Sequence, residues 1–122
     1  MDVTVRDTAT DVIVLAGDVT TDDLVQLRLD LVHAVEATAP GSDLLVDAHA
    51  VTRFDDGCLP AFVAARSRAK WQRQSIAVLA DVGSPVEACL RSSGHLARIS
   101  VYDDLSAARE ALREHRLGRR WD

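Results

Sequence analysis

Phe54-Asp55-Asp56-Gly57-Cys58-Leu59-Pro60 joins a strand-like run that ends in acid to the longest helical pattern in the chain. Asp55 or Asp56 can accept hydrogen bonds from the free backbone donors of a first helical turn, Gly57 relaxes the backbone there, and Pro60 suits a first turn. The stretch therefore predicts a capped helix start. Two adjacent carboxylates at a helix N-terminus that follows a loop also place ligand-reachable chemistry at one edge of the fold.

Downstream, Cys58, Phe62, Ala65 and Ala69 repeat at i, i+4, i+7 and i+11, with Leu59 and Val63 beside them, and predict a helix. Upstream, Leu44-Leu45-Val46 runs without interruption to Asp47, as expected of a strand buried on both faces, and Ala48 to Arg53 reads as a loop. Nearer the start, Val3 to Arg6 and Asp11 to Ala16 flank polar Asp7 to Thr10 and predict a hairpin that Gly17 ends. Thr20-Thr21-Asp22-Asp23 predicts a capping box ahead of Leu24, Leu27, Leu31 and Val35, and Pro40-Gly41-Ser42 breaks that helix.

Beyond the second helix, Ile76 to Ala80 predicts another interior strand. Ser84-Pro85-Val86-Glu87 combines a capping serine, a proline at the first helical position and a glutamate three residues on from the cap; the helix should run to about Ser93, with Gly94 in the left-handed terminating position. Ile99 to Tyr102 reads as the last strand, and Asp103-Asp104 caps a final helix carrying Leu105, Ala108, Ala111 and Leu112 on one face. The expected organisation is a single α/β domain over residues 1–116, ordered ββαβαβαβα, with right-handed parallel crossovers and a frayed tail at 117–122.

Composition narrows the function. At 122 residues the chain fits one domain. Only 4% of the residues are aromatic, so the core must come from Val, Leu, Ile and Ala, and stacking platforms for bases are not expected. A formal net charge of -5 argues against nucleic-acid binding by the domain as a whole. With no charged apolar leader and no apolar run near the roughly 20 residues of a membrane span, the chain reads as soluble and cytoplasmic. Cys58 and Cys89 lack metal spacing and lie on apolar helix sides, where free cysteine is a common small core residue. His33, His49, His95 and His115 are scattered, so no metal or other cofactor is expected.

The acids leave several readings open. Asp55 and Asp56 serve as helix caps, as partner-binding groups or as an acid and base pair. Asp47 at a strand end resembles a phospho-acceptor, and with Asp55 and Asp56 it forms the alternative of a phospho-receiver or enzyme. From Gly57 through Ala80 the chain carries Arg66, Arg68, Lys70 and Arg73 and no acid, either a solvated helix face or an electropositive face for an acidic partner.

Four pieces in order resemble a known family. Leu15-Ala16-Gly17-Asp18-Val19-Thr20 is similar to the "L-x-G-E-L-D" entry of the STAS domains of the bacterial anti-sigma factor antagonist type, and Leu44-Leu45-Val46-Asp47 to their "v-v-l-D" strand. Phe54-Asp55-Asp56-Gly57-Cys58-Leu59 is similar to their "f-D-S-S-G-L" loop, and Leu90 to Leu96 to their "L-x-x-x-G-l" stretch. The resemblance implies a mixed four- to five-stranded sheet with about four helices, no catalysis, and binding to an anti-sigma factor, often a serine kinase of the GHKL type, in the control of transcription. It also implies a contact surface made of Asp18, Val19, Thr20, Thr21, Asp55, Asp56, Gly57, Cys58, Leu59, Phe62, Val63 and Arg66.

The departures from the family pattern are specific. Asp56 stands where the family has its phosphorylated serine, Gly57 replaces the second serine, Cys58 the glycine, and Thr20 an aspartate. The resemblance with these changes implies a regulatory binding module without the usual serine phospho-switch, Asp56 supplying a fixed charge. Assembly with other STAS proteins, as in a stressosome, is the alternative use of the same fold.

Overall fold

A computed structural model describes residues 1–7, 12–39, 41–95 and 99–119. The strands are β1 (Asp2–Asp7), β2 (Val12–Val19), β3 (Asp43–Phe54), β4 (Ser75–Leu79) and β5 (Ser100–Tyr102). The helices are α1 (Leu24–Ala37), α2 (Leu59–Trp71), α3 (Pro85–Ser92) and α4 (Leu105–Arg119), with single 3₁₀ turns at Thr21–Asp23 and Asp56–Cys58 leading into α1 and α2. The expected order ββαβαβαβα is the observed one. The five strands lie side by side in chain order, β1 antiparallel to β2 and the remaining pairs parallel.

This topology decides where the helices sit. Right-handed crossovers that advance in one direction along a sheet must all cover the same face. Alternate strand residues Leu44, Val46, Ala48, Ile76 and Val78 accordingly share a core with Leu27, Leu31, Phe62, Ala65, Val86 and Leu90 of α1, α2 and α3. The opposite alternation, Val12, Leu45, Ala77 and Leu79, packs on Ala108 and Leu112, so α4 covers the other face. Both faces are buried over residues 44–48 of β3 and 76–79 of β4, as their uninterrupted apolar runs predict.

Two expectations are corrected. Ala48 to Arg53 is strand, not loop: β3 continues to Phe54 because β2 runs past Gly17 to Val19 and pairs with it through Val19 and Phe54. The register slips between Val14 and Ala16 and again between Gly17 and Asp18. Gly17 sits at φ +81°, a left-handed conformation that lets the strand bend without ending. Of the expected turn at Asp7 to Thr10, Asp7 ends β1 and residues 8–10 lie outside the described residues, as do Asp11 and the helix breaker Pro40.

Helix starts are partly as read. Asp104 Oδ1 accepts the Ala107 N–H at 2.8 Å, the expected cap of α4. Asp23 Oδ2 accepts the Thr20 N–H at 2.9 Å, the acidic half of the predicted box. At α3 the glutamate reaches one residue further back: Glu87 Oε2 accepts the Gly83 N–H at 2.8 Å, and the Ser84 hydroxyl is buried without a partner.

Candidate functional site

Because β2 and β3 end side by side, the two loops that follow them meet at the C-terminal edge of the sheet. Asp55 N–H donates to the Val19 carbonyl at 3.0 Å, extending the ladder by one rung. Asp55 Oδ2 accepts the Thr21 N–H at 3.3 Å and Oδ1 accepts Arg53 Nε at 3.1 Å. Asp18 Oδ1 accepts the Thr52 hydroxyl at 2.6 Å, and Cys58 Sγ–H donates to the Thr20 carbonyl at 2.9 Å. Asp55 thus does not cap its own helix, as the local pattern suggests; its carboxylate ties one loop to the other.

Asp56 does not cap α2 either. It opens the 3₁₀ turn, its side chain is exposed, and its Oδ1 accepts the Cys89 Sγ–H of α3 at 3.2 Å. A shallow concavity of about 420 Å³ lies between this turn and α3, with Phe54, Asp56 and Cys89 among its walls. Burial pushes the Cys58 thiol up, and the charges of Asp55 and Asp23 add to it. Burial, the Asp56 hydrogen bond and the charges of Asp56 and Cys58 push Cys89 up to about 12. Both thiols are free, and both are held away from the reactive thiolate.

Of the residues named from the sequence, Asp18, Thr21, Asp56, Gly57 and Val63 are exposed, and Thr20, Asp55 and Arg66 are half-buried. Val19, Cys58, Leu59 and Phe62 belong to the core, so they support the loops from below. Phe62 meets Phe54 edge to face at 5.6 Å between ring centroids. The sequence reading missed Val25 and Leu29 of α1, which are 72% and 58% exposed. They lie one turn apart, off the buried Leu27, Leu31 and Val35 stripe, and that departure from the core periodicity is the signal that marks them.

Asp47 is not brought to Asp55 and Asp56. Eight positions of extended β3 separate Asp47 from Asp55, roughly 25 Å at the usual rise per strand residue. Instead Asp47 holds His49: His49 Nδ1 lies 2.7 Å from Asp47 Oδ1, and Nε2 lies 2.8 Å from the Asp103 carbonyl and 3.7 Å from Asp81 Oδ1. Among the described residues no group of three or more His, Cys, Asp or Glu side chains could hold a metal ion. No helix of the described residues is long and apolar enough to cross a membrane.

A family model described as "Mlab, STAS domain" matches residues 3–99. No curated protein matches the chain. A crystal structure of an anti-sigma factor antagonist from Mycobacterium paratuberculosis superimposes with a TM-score of 0.77 at 19% identity, over 92% of this chain and 93% of that one. The unphosphorylated form of the anti-sigma factor antagonist SpoIIAA superimposes with a TM-score of 0.62 at 15% identity, over 94% of this chain and 96% of that one.

Proposed function

This chain belongs to the STAS domain family, and on that premise we propose that it is a non-catalytic protein-binding module that acts as an anti-sigma factor antagonist in the control of transcription. The observation that carries the reading is the joined loop edge, where the exposed Asp56 carboxylate precedes Gly57, which packs against Thr21 of the other loop; on the resemblance, Asp56 takes the place of the family's phosphorylated serine. Its scaffold is the fold of two solved anti-sigma factor antagonists.

The partner on this reading is an anti-sigma factor, and the contact combines charge with apolar area. Asp18, Asp22 and Asp56 are exposed acids on the loops, and Val25, Leu29 and Val63 are exposed aliphatic side chains on the two helices that the loops introduce. Acidic loops steer a basic partner, and the aliphatic groups supply the area removed from water. With no hydroxyl from Phe54 to Leu59, Asp56 holds a permanent charge in the switch position. It carries less charge and fewer acceptor oxygens than a phosphoserine.

The test is a titration of the purified chain with the anti-sigma factors encoded by the same genome, with Asp56→Ser, Asp56→Arg and Leu29→Asp alongside. One anti-sigma factor should bind, Leu29→Asp should weaken it by ten-fold or more, about 1.4 kcal/mol, and Asp56→Arg should change affinity in a salt-dependent way. Incubation with a kinase-type partner and ATP should leave residues 54–59 unlabelled. Absence of binding to every anti-sigma factor would remove the antagonist reading.

A further inference from the structure

At the other end of α2 lies a cavity of about 740 Å³ whose walls come from α2, the start of β4, β5 and α4. We propose that it is a binding site for a small phosphate monoester, a ligand site separate from the loop edge.

Three cations line it. Arg66, Lys70 and Arg73 recur at i, i+4 and i+7, one side of α2 continued into the turn that ends it, and among the described residues no acid shares the wall. In a chain of net charge -5 this is a concentrated region of opposite sign. Guanidinium groups offer a planar fork of donors that matches phosphate oxygens, and an ammonium adds a compact point charge.

The backbone at Arg73 is the second observation. The Gln74 N–H donates to the Ala69 carbonyl at 2.8 Å and the Arg73 N–H to the Lys70 carbonyl at 3.2 Å, the two bonds of a Schellman motif with Arg73 in its left-handed position. Arg73 has φ +57° and is the sole non-glycine with positive φ among the described residues. Elsewhere the described left-handed positions are glycines: Gly17, Gly41, Gly83 and Gly94. Glycine is the unstrained choice at such a helix end, so an arginine there gives up backbone ease and places a cation at the cavity.

The remaining walls suit an ester with an apolar body. Ile76 and Leu112 are buried aliphatic side chains, and Tyr102 contributes a ring and a hydroxyl. The volume lies within the range of small-molecule sites. The 13 residues of α2 put its far end, with Lys70 and Arg73, about 20 Å from Asp56; Arg66, midway along, is the one lining residue that also belongs to the contact surface implied by the resemblance.

Naphthyl phosphate, which carries a dianion on an aromatic body, is the probe, followed by calorimetric titration with naphthol as the neutral control. Wild type should bind the ester one-to-one and ignore naphthol. Arg73→Gly should weaken the ester at least ten-fold while its unliganded Tm stays level or rises, because glycine relaxes the positive φ; Lys70→Gln should weaken it too. This opposite movement of stability and affinity separates a ligand role from a structural one. The proposal is overturned by no saturable binding up to about 5 mM ester, by equal affinity in wild type, Arg73→Gly and Lys70→Gln, or by naphthol binding as tightly as its phosphate.

Discussion

Cys89 of α3 donates its Sγ–H to Asp56 Oδ1 across 3.2 Å, so the acid that opens the 3₁₀ turn before α2 is anchored from a helix 33 residues away in the chain. The thiol is buried, while the carboxylate is exposed to solvent. An exposed carboxylate is oriented by such an anchor, because one oxygen is held and the other stays available.

The same contact sets thiol reactivity. With its pKa pushed up to about 12, Cys89 is thiolate in roughly one molecule in ten thousand at pH 8, and burial further limits access. Labelling of the native protein by Ellman's reagent should therefore be slow at both cysteines. Asp56→Asn removes the charge contribution but leaves burial, the larger cause, so the Cys89 rate should rise only partly toward that of the denatured chain. Labelling at the rate of the denatured chain in native wild type would contradict the geometry.

Gly57 faces Thr21 closely. A Cβ at position 57 would stand 3.0 Å from Thr21 Oγ1 and 3.2 Å from Thr21 Cγ2. Gly57→Ala should therefore push the two loops apart and lower stability by up to about 1 kcal/mol. Thr21→Ala in the same chain should recover most of that loss, and urea melts of the two single and one double variant measure the coupling.

His49 makes stability depend on pH. Burial opposes its charging, but the hydrogen bonds to Asp47 and the Asp103 carbonyl, with the charges of Asp47 and Asp81, outweigh that and raise its pKa. Both ring nitrogens face acceptors, so only the imidazolium donates at both. Its contribution is fully present below the unfolded value near 6.5 and is lost as pH rises through the higher folded value. The difference in stability between wild type and His49→Gln should shrink from about pH 6 to about pH 8. The ring is partly exposed, so added salt should reduce the effect.

Phe62 is fully buried and packs edge to face on Phe54 beneath the loop edge. Phe62→Ala should cost about 3–5 kcal/mol in equilibrium unfolding. Phe62→Leu should cost distinctly less, because it keeps most of the volume. On the proposed function, loss of partner binding in Phe62→Ala should follow the population of unfolded chain, since the ring is fully buried beneath the loop edge.

Local chemistry made much of this fold legible. The alternation of apolar runs with helical periodicity predicted all nine elements in order, and Asp104, Asp23 and Gly94 hold the positions that their residue types suggest. The four family-like pieces pointed to the STAS family that the match over residues 3–99 establishes. These signals are short-range: a period or a cap is complete within one element, so it survives without knowledge of neighbours.

What the sequence by itself determined, then, is the order of the elements, the caps before α1 and α4, and the family. Only the tertiary structure decided what the acids do: Asp55 bridges to Thr21, Asp56 holds Cys89, and Asp47 clasps His49 far from both. It also decided the length of β3, which depends on β2 continuing beside it, and the exposure of Val25 and Leu29. The cation-lined cavity exists only where α2, β4, β5 and α4 converge. Each of these rests on a partner more than a turn or a strand away, and the identity of such a partner is set by topology rather than by spacing along the chain.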